Sequence, residues 1–237
     1  MTHGLALDHR TFTDQVTALR DRYRVVTWDL PGCGSSFALE EPFSFADAAD
    51  CLEGILDEIG ADEAVLLGQS MGSFLNQYAA SRAPELASAL IHVGGAPLYD
   101  GLTRLESGLV RVHARVVPLV PERVLCRLFG AFVTGDPEVR TYVEETAAQT
   151  GKTQFVHLER GIGHQLRTGI ADEPTHPQLI VVGEHELSRL RTLGRRWAVR
   201  LPDARFVELP GAGHLLNQED PAAFNAVVLE FLEETTR

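Results

Sequence analysis

The chain is short of positive charge. It carries 21 Lys and Arg against 33 Asp and Glu, a formal net charge of −12, and no long basic cluster. Nucleic acid and anionic membrane surfaces both select a concentrated positive face, so neither is expected as a partner. Cysteine is scarce as well: Cys33, Cys51 and Cys126 are an odd number at wide spacing, with no Cys-x-x-Cys pair. That argues against a disulfide framework and for a reducing compartment. No apolar run reaches the roughly 18 residues of a membrane span, and no signal peptide opens the chain, so the expected location is cytoplasmic. A phosphate-binding Gly-Lys-Ser/Thr is missing. Gly32-Cys33-Gly34-Ser35-Ser36-Phe37 has phenylalanine where a dinucleotide fingerprint needs its third glycine. Glu184, His185 and Glu186 resemble metal ligands in type only, because consecutive extended residues point to alternate sides. No metal and no cofactor is expected.

What the chain does have is alternation. Its 237 residues, 44% hydrophobic, suffice for one substantial core and a modest subdomain. Phe12, Val16 and Leu19 share a helical face, and Tyr23 to Leu30 reads as a strand. Ser44 with Asp47 looks like a capping box before the apolar stripe Phe45, Ala48, Leu52, Ile55, Leu56 and Ile59, with Gly60 as C-cap. Leu86 to Val93 reads as another strand, and Leu179 to Val182 is a continuous apolar run, as a strand buried on both faces should be. His92, inside one of them, reads as a satisfied core histidine. Asp220-Pro221 opens a last helix that buries Phe224, Val228, Phe231 and Leu232. The pattern predicts an α/β fold with a mostly parallel, doubly wound sheet. Residues 97 to 175 break the alternation. They read as helices separated by Pro118, Pro121 and Asp136-Pro137, so that 1–96 and 176–237 form the core and 97–175 a helical lid. The lid's Val110, Val117, Val120, Val124, Leu125, Leu128, Phe129 and Phe132 are expected mostly in its own core, the rest lining a pocket. His157 and His164 are expected at the surface.

The chemistry concentrates at Leu66-Leu67-Gly68-Gln69-Ser70-Met71-Gly72, an apolar run ending in Gly-x-Ser-x-Gly and leading into a helix-like segment. Strand, tight turn and helix are the context of a nucleophile elbow. A serine hydroxyl is a weak nucleophile and needs a base and an acid. Downstream, Arg205 to Leu209 alternates like a strand and Pro210-Gly211-Ala212-Gly213-His214 follows as a glycine-rich loop, which puts His214 where a general base belongs. After Val182, Gly183-Glu184-His185-Glu186 offers a carboxylate to orient the imidazole.

Taken together, these motifs resemble the α/β-hydrolase family along nearly the whole chain. His3-Gly4-Leu5 is similar to its oxyanion loop, Asp29-Leu30-Pro31-Gly32-Cys33-Gly34-Ser35 to its Asp-x-x-Gly-x-Gly-x-Ser turn, and Gly213-His214 to its histidine loop. Cys33 stands where the family usually has histidine, at a position read as non-catalytic. The family's acid is usually Asp in Gly-x-x-Asp; aligning Gly183 puts Glu186 there, with Glu184 and Asp100 as competitors. The resemblance implies a Ser70-His214-Glu186 triad, with backbone N–H groups of Leu5 and Met71 as oxyanion donors. It also implies a serine hydrolase acting by acyl transfer on a small apolar ester, lactone or related acyl substrate. Carbon-carbon bond hydrolysis, cofactor-free perhydrolysis and a catalytically silent ligand- or partner-binding protein stay open, as does a homodimer. The family's sheet also has strands upstream of the His-Gly-x loop, whereas only Met1 and Thr2 precede His3 here. The expectation is an N-terminally truncated chain, the alternative a sheet in which the Tyr23–Leu30 and Ala64–Leu67 strands close up and pair directly.

Overall fold

Four strands, β1 (Ala64–Gln69), β2 (Ala87–Val93), β3 (Gln178–Gly183) and β4 (Ala204–Leu209), form one sheet in the order β1-β2-β3-β4, every pair parallel. This computed structural model describes residues 1–99 and 101–235. All six residues of β3 are buried, as its unbroken apolar run requires of a strand covered on both faces. Alternate side chains point to opposite layers. Leu67, Ile91, Val93, Leu179 and Val181 pack with α1 (Thr13–Leu19) and α9 (Pro221–Thr235) through Leu19, Phe224, Val228, Phe231 and Leu232. Leu66 and Leu90 face α2 (Phe45–Glu58) and α3 (Met71–Arg82), with Leu52, Leu75 and Ala79 between them. On that second face Ile180 meets Trp197 of α7 (Ser188–Arg200). The sheet is thus doubly wound.

The helix signals act as read, with one shortfall. Ser44 Oγ accepts from the Asp47 N–H at 3.2 Å, but the described hydrogen bonds contain no return bond from Asp47. Aspartate is one methylene shorter than the glutamate of a full capping box. Gly60 has φ 65° and Asp220 Oδ1 accepts from Ala223 N–H at 3.0 Å, so both termini end as their residues dictate. Between β2 and β3 lie α4 (Arg104–Val116), α5 (Glu122–Val133) and α6 (Pro137–Thr168), the last broken at Gly151. Their apolar residues are less internal than expected. Val117 and Leu125 are buried, but Val124, Leu128 and Phe132 are 44%, 60% and 70% exposed. In α5 apolar residues occupy two faces, and α6 covers only one.

Tyr23 to Leu30 does not form the expected strand. It contributes one parallel bridge, Trp28 to Thr2, and Thr2 bridges onward to Gly68. The Thr2 N–H donates to Leu67 O at 2.8 Å and the Gln69 N–H to Thr2 O at 3.0 Å, while the Met1 ammonium donates to Val26 O at 2.7 Å. A strand needs a neighbour along its length, and here the neighbour is a single residue. Nor do the two segments close up and pair directly. Beyond Thr2 a cavity of about 270 Å³ separates them, lined by Val25, Val26, Leu52, Leu56, Val65 and Leu67 among others. The short α8 (Leu216–Glu219) follows the loop that carries His214 and precedes α9.

Candidate active site

Ser70 sits between the end of β1 and the start of α3 with φ 50° and ψ −112°, a left-handed conformation that a serine adopts only under constraint. Its N–H donates to Val93 O of β2 at 2.8 Å and its carbonyl accepts from Ser73 N–H at 3.0 Å, which locks the turn. The flanking glycines allow the close approach. A Cβ on Gly68 would overlap the Gly72 backbone, and one on Gly72 would overlap Thr2 O. The first free N–H groups of α3 and its positive dipole end therefore converge on the serine.

His214 and Glu186 meet from two loops. His214 Nδ1 lies 2.8 Å from Glu186 Oε1; the carboxylate accepts, so Nδ1 holds the proton and Nε2 the lone pair. The Glu186 side chain is 2% exposed. Gly94, at φ 58°, makes room for the pair, since a Cβ there would come within 2.8 Å of both Glu186 Oε1 and His214 Nδ1. The histidine loop is tied down by Glu219, whose Oε2 accepts from Gly213 N–H at 2.6 Å and whose Oε1 accepts from Thr134 Oγ1 at 2.7 Å. Glu184 is engaged elsewhere. It is exposed, and its Oε2 accepts from Gly211 N–H at 2.8 Å. Asp100, the weaker competitor, lies outside the described residues.

The early loop is held by a histidine that sequence reasoning named only as part of a motif. His3 is fully buried, its Nδ1–H donating to Gly4 O at 2.8 Å and its Nε2 accepting from Leu30 N–H at 2.9 Å. Burial lowers it to about 4, so it stays neutral and fixes the loop before Leu5 to Leu30 in the Asp29–Ser35 turn. Asp29 completes that turn by accepting from His9 N–H at 2.8 Å and Ser35 N–H at 2.9 Å. Burial pushes the Cys33 thiol up to about 12, which keeps it protonated. His92 is a core group, its Nε2–H donating to Gln178 Oε1 at 3.0 Å and its Nδ1 accepting from Ser73 Oγ at 2.9 Å.

Ser70, His214, Leu5 and Met71 all line one cavity of about 180 Å³ whose other walls are Leu7, Gln69, Phe74, Phe129, Phe132, Val133, Ile162 and Leu215. The described hydrogen bonds do not include one between Ser70 and His214. His157 and His164 do not line this cavity. His164 is exposed and His157 half-buried. Two residues escaped sequence reasoning, Gly94 and Gln69. The Val93-Gly94-Gly95 stop after β2 is the signal that could have found Gly94.

A parallel doubly wound sheet with a strained serine between strand and helix defines an α/β hydrolase. The sequence profile of the alpha/beta hydrolase family matches residues 1–227, and the chain belongs to that family. It is 24% identical over 253 residues to the 2-(acetamidomethylene)succinate hydrolase of Mesorhizobium japonicum, covering 98% of this chain and 86% of that one. Among solved structures, a thermophilic esterase from Thermogutta terrifontis superposes with a TM-score of 0.85 at 22% identity, over 99% of this chain and 88% of the other. The enol-lactonase of Burkholderia xenovorans LB400 gives 0.82 at 24% identity, over 98% and 89%. The chain is a hydrolase. No helix among the described residues is long and apolar enough to cross a membrane.

Proposed function

We propose that the chain is a serine hydrolase that transfers the acyl group of a small apolar ester, lactone or related substrate to water. The observation that carries this reading is the strained Ser70 sharing an apolar cavity with a His214 whose Nδ1 is held by a buried carboxylate. Ser70 Oγ attacks the carbonyl carbon and its proton passes to His214 Nε2. The oxyanion sits on the N–H groups of Leu5 and Met71, where donors placed in advance need no reorganisation. The imidazolium, stabilised by Glu186, then protonates the departing alcohol. Water repeats the sequence on the acyl-serine and frees the acid. Helices α4 to α6 serve as a lid, Phe129, Phe132 and Ile162 supplying apolar walls. With those walls and no cationic side chain among the lining residues, apolar acyl groups fit better than charged ones.

The test is labelling with a fluorophosphonate, together with turnover of a p-nitrophenyl ester. The chain should label, and Ser70→Ala should abolish the label and lower turnover by roughly 10⁴-fold or more with little change in melting temperature. Undiminished esterase activity in the pure variant would sink the assignment. An unlabelled, inactive parent chain would favour a silent ligand-binding protein instead.

A further inference from the structure

One polar side chain in the cavity has no part in acyl transfer. Gln69 closes β1, is 1% exposed, and lines the cavity beside Ser70. Its carboxamide Oε1 and Nε2 are both buried, and neither has a hydrogen-bond partner among the described residues. The group is pressed against the oxyanion loop. A Cβ on Gly4 would overlap Gln69 Oε1, and would lie 3.3 Å from Ser70 Cβ. Apart from Ser70 and His214, every other lining side chain is apolar. A buried polar atom left unpaired is costly enough that native proteins rarely keep one without a use. In this conformation both atoms are closed off, Oε1 against Gly4, in a residue that lines the cavity beside the nucleophile.

Building on the acyl-transfer reading, we propose that Gln69 is a specificity-determining residue. Its carboxamide, turned from Gly4 into the cavity, binds a neutral group with one acceptor and one donor, an amide or carbamate, in the acyl part of the substrate next to the scissile carbonyl. A carboxamide offers an acceptor and two donors, so a second amide pairs with it in both directions. A carboxylate would satisfy Nε2 but set its charge against Oε1, in a cavity with no lining cation. An ammonium would find one acceptor and lose its hydration. The acyl side follows from placement: the leaving group belongs with His214, which protonates it, and Gln69 packs on the oxyanion loop.

The experiment compares p-nitrophenyl N-acetylglycinate with p-nitrophenyl pentanoate, which has the same chain length without the amide. Ratios of kcat/KM, each corrected for spontaneous hydrolysis, are measured in the parent chain and in Gln69→Met, which keeps the length but loses the hydrogen bonds. The amide-to-alkyl ratio should fall about ten-fold or more. Gln69→Glu, isosteric but acceptor-only when ionised, should lower it as well, and serves if the methionine variant does not fold. An unchanged ratio overturns the proposal. So does an equal loss on both esters, which would make Gln69 a support of the oxyanion loop. Fluorophosphonate labelling keeps the two readings apart, since a labelled chain with an unmoved ratio refutes the role of Gln69 alone, and an unlabelled parent chain refutes acyl transfer with it.

Discussion

Glu184 and Glu186 stand two residues apart in one loop, and their surroundings give them different work. Glu186 is buried and meets His214 Nδ1 at 2.8 Å, whereas Glu184 is exposed and accepts from Gly211 N–H at 2.8 Å. If Glu186 orients the base, Glu186→Gln presents an amide that can impose the wrong tautomer, and kcat should fall by about 10⁴-fold. Glu184→Gln keeps an oxygen for Gly211 and should change kcat little. Steady-state kinetics on the two variants decide the matter, and the reverse ranking would reassign the acid. The motif spacing singled out Ser70, His214 and Glu186 as the candidate triad, because the backbone geometry of an elbow and of a histidine loop is written in glycines. Gln69 was not legible, since a glutamine between Gly68 and Ser70 carries no sign of whether its amide will find a partner. His3 was legible as a motif but not as a clamp, because its two bonds go to Gly4 O and Leu30 N–H, backbone atoms that no side-chain pattern marks.

Elements show the same division. Helices whose caps and apolar stripe lie within their own residues came out as read. The Tyr23–Leu30 strand did not, because strand identity depends on a neighbour supplied from elsewhere. The neutral histidines that brace the elements predict how stability responds to acid. His92 joins β2 to α3 and to Gln178 of β3, and burial lowers it to about 3; His3 is lowered to about 4 by the same cause. Both folded values lie below the ordinary 6.5. The unfolded chain therefore takes up protons first, and stability is full above pH 6.5 and drains as pH falls toward 4 and then 3. At about 1.36 kcal/mol per unit, the loss is on the order of 3 kcal/mol for His3 and somewhat more for His92. Denaturant titrations across this range should show stability falling with pH, and the slope should lose about one proton in His92→Gln. A slope identical to the parent's would mean that His92 is protonated in the folded chain.

At the scale of the whole molecule, β1 is an edge of the sheet, met on its outer side only by the bridge to Thr2 among the described residues. Ser70 N–H reaches Val93 O on β2, while Leu67 O and Gln69 N–H reach Thr2. Along β1, even-numbered residues thus turn their peptide groups to β2, and Val65, Leu67 and Gln69 turn theirs the other way. Thr2 serves only the end of that row. Upstream of it the apolar cavity of about 270 Å³ faces Val65 and Leu67, and the Leu67 N–H has no partner there among the described hydrogen bonds. Buried peptide groups without partners cost about 1 to 3 kcal/mol each, a large share of the roughly 5 to 15 kcal/mol that holds a domain folded. Hydrogen exchange followed by NMR should therefore show the amides of Val65 and Leu67 exchanging much faster than those of Leu66 and Gly68, their immediate neighbours in the same strand. The same cavity is bounded by β1 on one side and by Tyr23, Val25, Val26 and Trp28 on the other. Equal protection of alternate amides in β1 would show that the flank is already satisfied as Thr2 leaves it.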